Sequence, residues 1–72
     1  MTQYELEQLW VEGALQDVSY KFGDEVRLKS GERAGEAGRI VALWTIEPVP
    51  NYIIEFPDGT SESATQAELV SL

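Results

Sequence analysis

The sequence predicts a mainly β protein: one small barrel of four to five antiparallel strands, preceded by a short N-terminal helix. Short runs that alternate apolar and polar residues are each bounded by glycine or proline, as strands are. A chain of 72 residues leaves no room for the helical crossover that parallel strands need. Closing so small a sheet into a barrel hides its edges, so a barrel is the expected architecture.

Residues 1–20 are expected to form a helix and a linker, and residues 21–72 the barrel. Thr2 and Glu5 have the spacing of a capping box, in which side chains bind free backbone N–H groups at a helix start. We predict a helix from about Gln3 to about Glu12 with Gly13 as its stop, and a helix that runs on through Ala14-Leu15-Gln16 is the alternative.

The apolar surface of this helix is wider than packing against one barrel requires. It comprises Tyr4, Leu6, Leu9, Trp10, Val11, Ala14 and Leu15. Tyr4, Leu6 and Trp10 are therefore candidate partner-binding residues. Two interpretations of Trp10 stay open, because a tryptophan at this position either packs on the barrel or anchors a partner.

The first half of the predicted barrel contains two strands separated by a glycine-rich loop. Val26 and Leu28 alternate with two basic residues, which predicts a half-buried strand. The loop over residues 30–38 precedes the longest apolar run, Gly38 to about Ile46. Apolar residues occupy both parities of that run, so we predict a central strand with a bulge.

The second half contains a hairpin and a final short strand. Residues 52–56 alternate, and Pro57-Asp58-Gly59 then predicts a hairpin turn, because Asp-Gly tolerates the positive φ that such turns need. A polar edge strand is expected over residues 60–64. Thr65 and Glu68 form a second capping box, which predicts a short helical turn before a last strand at residues 69–72.

The composition excludes most catalytic chemistry. The chain has no cysteine and no histidine, which removes disulfides, thiolate ligands, the usual general base and the usual metal ligand. We therefore predict a non-enzymatic protein without cofactor or metal. The lack of cysteine in so small a domain and the acidic N-terminus predict a cytoplasmic protein with no membrane segment.

The formal net charge of −8 is unevenly distributed. All five basic residues lie within residues 21–39, whereas residues 1–20 and 40–72 carry acidic residues alone. Such a field repels polyanions and attracts basic proteins, so a basic protein partner is expected. Nucleic acid is a less favoured partner.

Residues 23–41 resemble the KOW motif, with Gly-Asp before an alternating strand, glycines at Gly31, Gly35 and Gly38, and an aliphatic start to the next strand. KOW domains are SH3-like barrels of ribosomal proteins and NusG-type transcription factors. The resemblance implies an SH3-like barrel and, as an alternative function, association with RNA, the ribosome or RNA polymerase. Among the glycines, Gly38 is the best candidate for a positive φ.

Residues 52–59 with Glu68-Leu69 look like the end of small bacterial SH3-like or Tudor-like domains. Some of these are short acidic proteins of unknown function, and a number of them are encoded beside toxins. The acidic composition, the aromatic-rich helix and the lack of histidine and cysteine predict a protein-protein interaction module, in one version an inhibitor or immunity-type protein that covers a basic toxin or nuclease. A small structural subunit of a larger complex, or a homodimer through the helix, is a further alternative.

Three groups of side chains are candidate sites in the predicted barrel. The acidic group around the hairpin is a candidate partner-binding surface and comprises Glu47, Glu55, Asp58 and Glu62. The basic group is a candidate patch for phosphates or an acidic partner and comprises Arg27, Lys29, Arg33 and Arg39. The aromatic group, Trp44, Tyr52 and Phe56, is expected in the core, with a cage for a methylated lysine as the alternative.

Overall fold

A computed structural model of the chain describes residues 2–15 and 18–72. Its elements are α1 (Gln3–Val11), β1 (Glu25–Leu28), β2 (Ala37–Thr45), β3 (Asn51–Glu55), β4 (Ser61–Thr65), a 3-10 turn (Gln66–Glu68) and β5 (Leu69–Ser71). The strands form one antiparallel sheet in the order β4-β3-β2-β1-β5, which confirms the mainly β prediction with its N-terminal helix. Met1, Gln16 and Asp17, part of the predicted helix-and-linker segment, lie outside the described residues.

Both ends of α1 follow from local sequence. The Glu5 N–H donates to the Thr2 hydroxyl at 3.2 Å, so Thr2 caps the helix as predicted. At the other end, the N–H groups of Gly13 and Ala14 donate to the carbonyls of Trp10 and Leu9, both at 3.0 Å. This pair of bonds is a Schellman motif, and it needs the left-handed φ of +74° that Gly13 adopts.

The core lies between α1 and the inner face of the sheet. Its buried members are Leu6, Trp10, Val26, Leu28, Ile40, Leu43, Tyr52, Ile54, Phe56, Ala64 and Leu69. Helix and strands therefore share one hydrophobic core. The helix is fixed against β2, because the Gln3 side-chain amide donates to the Leu43 carbonyl at 2.8 Å.

The linker after α1 is attached to the sheet by polar contacts. The Tyr52 hydroxyl donates to the Gln66 side-chain carbonyl and accepts from the Tyr20 N–H at 3.3 Å. The same Gln66 oxygen accepts from the Ser19 N–H at 2.6 Å. Burial raises the pKa of the Tyr52 hydroxyl, so it stays a neutral donor in this network.

The sheet is strongly curved. Its edge strands β4 and β5 lie four strand spacings apart in the order, which is roughly 19 Å in a flat sheet. The 3-10 turn that joins them has three residues and spans only about 6 Å. The sheet therefore curls until its two edges meet at this turn. Within residues 2–15 and 18–72 no backbone hydrogen bond joins β4 to β5, so the structure is a curved sheet with an unpaired β4 edge, and a closed barrel stays a prediction.

Gly38 corrects one expectation from the sequence. Its φ is not positive, whereas Gly31 and Gly35 in the preceding loop have φ of +89° and +90°. Gly38 lies in β2, where an added Cβ would stand 2.5 Å from Ile54 Cγ2 and 2.8 Å from the Glu55 carbonyl oxygen. Glycine is needed here because β3 approaches too closely for any side chain.

Candidate protein-interaction surface

Trp44 is the most prominent aromatic side chain on the outer surface of the sheet, with 60% of its area exposed. The β2–β3 register shifts twice, between Ile40 and Ala42 and again between Leu43 and Thr45. The first shift moves the inward positions of β2 by one residue, so Leu43 is buried like Ile40, and Trp44, the next residue, faces outwards. The prediction of a bulge is confirmed, and the prediction that Trp44 is a core residue is wrong.

Two depressions adjoin the Trp44 indole. One, of about 400 Å³, lies towards α1 and is lined by Thr2, Gln3, Leu6, Thr45, Ile46 and Glu47. The other, of about 410 Å³, lies towards β4 and is lined by Ile53, Ser61, Glu62 and Ser63. We call Trp44 with these two depressions the Trp44 surface. Its centre is apolar, one acidic residue lines each depression, and among the described residues no lysine or arginine lines either one.

The three partner-binding candidates of α1, Tyr4, Leu6 and Trp10, differ in burial. Leu6 and Trp10 belong to the core, and the Trp10 indole N–H donates to the Tyr20 carbonyl at 2.7 Å. The structure therefore realises the core interpretation of Trp10, which leaves 4% of its area for any partner. Tyr4 alone of the three is an exposed side chain, at 74%. Val11, exposed at 72%, lies seven residues further along the same side of α1.

The four acidic candidates do not form one cluster. Glu55 and Asp58 are near the hairpin that follows β3, whereas Glu47 lies in the loop that precedes β3. The length of β3, roughly 13 Å, separates these two ends. Glu62 lies on the edge strand β4 and, with Glu47, borders the Trp44 surface.

Arg33 is not available in the predicted basic patch, because its side chain holds the glycine-rich loop against the hairpin that follows β3. Its guanidinium carbon lies 3.8 Å from the centre of the Phe56 ring. The same group contacts Glu36 at 2.8 Å and Asp58 at 3.2 Å. The hydrogen bond to Glu36 raises the pKa of Arg33 above its usual value. We call Arg33, Glu36, Phe56, Asp58 and Thr60 the Arg33 clasp.

The carboxylates of the Arg33 clasp are stabilised in their charged form. The hydrogen bond from Arg33 lowers the pKa of Glu36. For Asp58 the main cause is the Thr60 hydroxyl, which donates to it at 2.6 Å and lowers its pKa, with a smaller effect from Arg33. The clasp therefore neutralises part of the predicted acidic group as well as part of the basic one.

The remaining basic candidates lie on β2, on β1 and directly after β1. Arg39 of β2 pairs in register with Glu25 on one side and Glu55 on the other, so acids flank it on both neighbouring strands. Arg27 is exposed on β1, and Lys29 is exposed just beyond its end. The four residues predicted as one stripe thus occupy three different electrostatic settings.

The aromatic candidates do not converge into a cage. Tyr52 and Phe56 are buried on the inner side of the sheet, whereas Trp44 is exposed on the outer side. The core interpretation is confirmed for Tyr52 and Phe56. Of the residues that define the Trp44 surface, Leu6, Glu47 and Glu62 were partner-binding candidates from sequence, whereas Trp44 itself was expected in the core. The signal for Trp44 was present in the mixed parity of the β2 run, which indicates a bulge but not which residue occupies it.

Comparison with protein-family models, with curated proteins and with solved structures finds no match for this chain. In the part of the chain that the structure describes, no three acidic side chains group as ligands of a metal ion would. Within residues 2–15 and 18–72, no helix has the length and apolar character to cross a membrane.

Proposed function

We propose that this chain is a non-enzymatic protein-interaction module that covers a basic partner with the Trp44 surface. The observation that carries the proposal is the 60% exposure of Trp44 between two acid-bordered depressions. Tryptophan is among the residues that contribute most binding energy when a partner covers them. An inhibitor or immunity-type protein in the cytoplasm is the form of this function that the charge supports best.

The charge distribution supports a basic partner in particular. The chain carries −8 overall, and its five basic residues all lie within residues 21–39. The Trp44 surface is therefore approached through a negative field that accelerates the encounter with a positive surface. Added salt screens this field, so the association rate should fall steeply as ionic strength rises.

A KOW-type module that associates with RNA, the ribosome or RNA polymerase is the alternative. Arg27 and Lys29, exposed on and beside β1, are the observation in its favour. It has less support because the clasp engages Arg33 and two acids flank Arg39. Strong binding to phosphates at physiological salt needs more contacts than two side chains provide.

The test is capture of partners from native lysate by the tagged chain, with and without nuclease, read by mass spectrometry. We expect a basic protein that survives nuclease treatment. Trp44→Ala should release it, whereas Val11→Ala, which truncates an exposed apolar side chain of α1, should not. Partners lost with nuclease and with Arg27→Glu would instead favour the KOW alternative.

Loss of capture with Val11→Ala and not with Trp44→Ala would favour the third alternative, a structural subunit docked through α1. A captured protein that is itself acidic would contradict the proposed function outright. Thermal unfolding of each variant serves as the control, because both side chains are exposed and neither change should destabilise the fold.

A further inference from the structure

Strand β4 ends the sheet, and its outer edge is open. It pairs with β3 on one side, and its first three residues are exposed. Natural edge strands are commonly protected by charged side chains, by proline or by a bulge. The β4 sequence, Ser-Glu-Ser-Ala-Thr, carries a single charge, Glu62, has no proline, and pairs with β3 without a register shift, so Glu62 alone restricts what can add to this edge.

The hairpin determines which backbone groups of β4 face outwards. The Phe56 N–H donates to the Thr60 carbonyl at 2.9 Å, so these residues are a hydrogen-bonded pair. Bonded and non-bonded pairs alternate along an antiparallel ladder. Glu62 therefore bonds to β3, whereas Ser61 and Ser63 turn their N–H and carbonyl groups away from it.

These outward groups are free of partners within residues 2–15 and 18–72. Thr65 follows the same alternation, and its outward N–H is occupied, since it donates to the Glu68 carboxylate at 2.9 Å. The open part of the edge is thus limited to Ser61 and Ser63. Those two residues also line the depression beside Trp44 and Ile53.

We propose that β4 accepts an extended segment of the basic partner as an added strand, a mode that rests on the proposed function and specifies how it is carried out. Side chains opposite Ser61 and Ser63 enter the depression beside Trp44, so apolar residues fit there. The side chain between them lies opposite Glu62, within about 5 Å between Cβ atoms, so lysine or arginine fits there. The recognised pattern is apolar-basic-apolar.

A second copy of this chain fits the edge poorly. Each copy carries −8, and strand addition between copies would bring Glu62 near acidic residues of the other copy. Like charges directly opposite each other on paired strands are destabilising. A basic segment satisfies both the backbone edge and Glu62, so we assign the edge to the partner.

The probe is a blocked peptide of alternating valine and lysine, added to the isotopically labelled full chain and followed by amide hydrogen exchange. In the free protein we expect the amide of Glu62 to exchange slowly, because it is bonded to β3, and those of Ser61 and Ser63 to exchange fast. At saturation we expect the exchange of Ser61 and Ser63 to slow at least tenfold, because each becomes hydrogen-bonded. A peptide of alternating valine and glutamate is the matched control and should not bind.

Two variants separate backbone docking from charge attraction. Ser63→Pro removes an N–H that β3 does not use, and we expect at least a tenfold loss of affinity. Ser63→Ala keeps that N–H and should bind as the parent does. Glu62→Lys should reverse the preference, so that the valine-glutamate peptide binds and the valine-lysine peptide does not, which tests the mode even if Ser63→Pro fails to fold.

Three results would overturn strand addition: no binding at millimolar peptide, binding that leaves Ser61 and Ser63 unprotected, or concentration-dependent protection of both amides without peptide, which would indicate a dimer. None of these results would contradict the proposed function. That proposal is tested separately, and it fails if the intact chain captures no basic protein.

Discussion

Replacing Gly38 tests the close approach of β2 and β3. An alanine Cβ would lie 2.5 Å from Ile54 Cγ2, 2.8 Å from the Glu55 carbonyl oxygen and 3.2 Å from Phe56 Cδ1. The carbonyl belongs to the backbone of a paired strand and cannot rotate away. Relief therefore requires β3 to shift, which weakens the ladder on both sides of Gly38.

The expected cost can be worked from general values. Overpacking of this kind costs about 2 kcal/mol, and the lower entropy of an unfolded chain with alanine offsets about 0.5 kcal/mol of it. A chain of 72 residues has an unfolding entropy of about 0.15 kcal/mol per kelvin. The net loss of about 1.5 kcal/mol corresponds to a Tm about 10 °C lower, measured by circular dichroism.

Gly35 is the matched control. Glycine is favoured there by a positive φ, whereas at Gly38 it is required by the neighbouring strand. The φ of Gly35 is +90° and nothing lies within 4 Å of an added Cβ. Asparagine tolerates that conformation better than alanine does, so Gly35→Asn should be milder than Gly35→Ala. At Gly38 the asparagine variant should be the less stable of the two, since asparagine is larger than alanine. The same order at both positions would refute the steric argument.

Three further predictions concern other contacts. Trp10→Phe should lower the free energy of unfolding by about 2 kcal/mol. The change leaves the Tyr20 carbonyl without its donor and leaves a gap in the core. An unchanged denaturant midpoint would contradict this prediction. Arg33→Lys keeps the charge but loses the forked contact with Glu36 and the stacking on Phe56, so the Tm should fall; an unchanged Tm would show that charge alone suffices. Glu68→Gln should be less stable than the parent at pH 7 by about 1 kcal/mol, since its carboxylate caps Thr65.

The Glu68 contribution should also depend on pH with a definite sign. The hydrogen bond from the Thr65 N–H lowers the pKa of Glu68 below its usual 4.5. The stabilisation is therefore complete above pH 4.5 and is lost as the pH falls through the lower folded-state pKa. The difference between parent and Glu68→Gln should narrow over that acid range. A constant difference would mean that the carboxylate charge does not stabilise the turn.

The local signals of the sequence predicted most of the fold. Thr2, Gly13 and the pair Thr65-Glu68 act through the residues immediately beside them, and each has the role predicted for it. Apolar patterning together with the turn residues that bound it likewise located every strand to within two residues. These features are readable because their physical cause lies within one turn or one strand.

The site depended on contacts that cross the sheet, which the sequence does not display. Trp44 is outward because the first register shift between β2 and β3 moves the inward positions of β2 by one residue, so that Leu43 is buried and Trp44 is exposed. Arg33 is stacked and neutralised by groups from the hairpin, far along the chain. Gly38 is required by the neighbouring strand rather than by its own torsion angles. Each error arose where tertiary packing outweighed a local preference.

The pairing of β1 with β5 has a consequence for the order in which the molecule forms. Val26 lies opposite Ser71 and Leu28 opposite Leu69. One edge of β1 therefore stays unpaired until the last residues of the described chain have been made. During synthesis α1 and the β2–β4 meander emerge first, while Val26 and Leu28 lack the strand beside them. Such non-local pairing slows folding, because a long segment must be ordered before the contact forms. The nascent chain therefore completes its core only after β5 has left the ribosome.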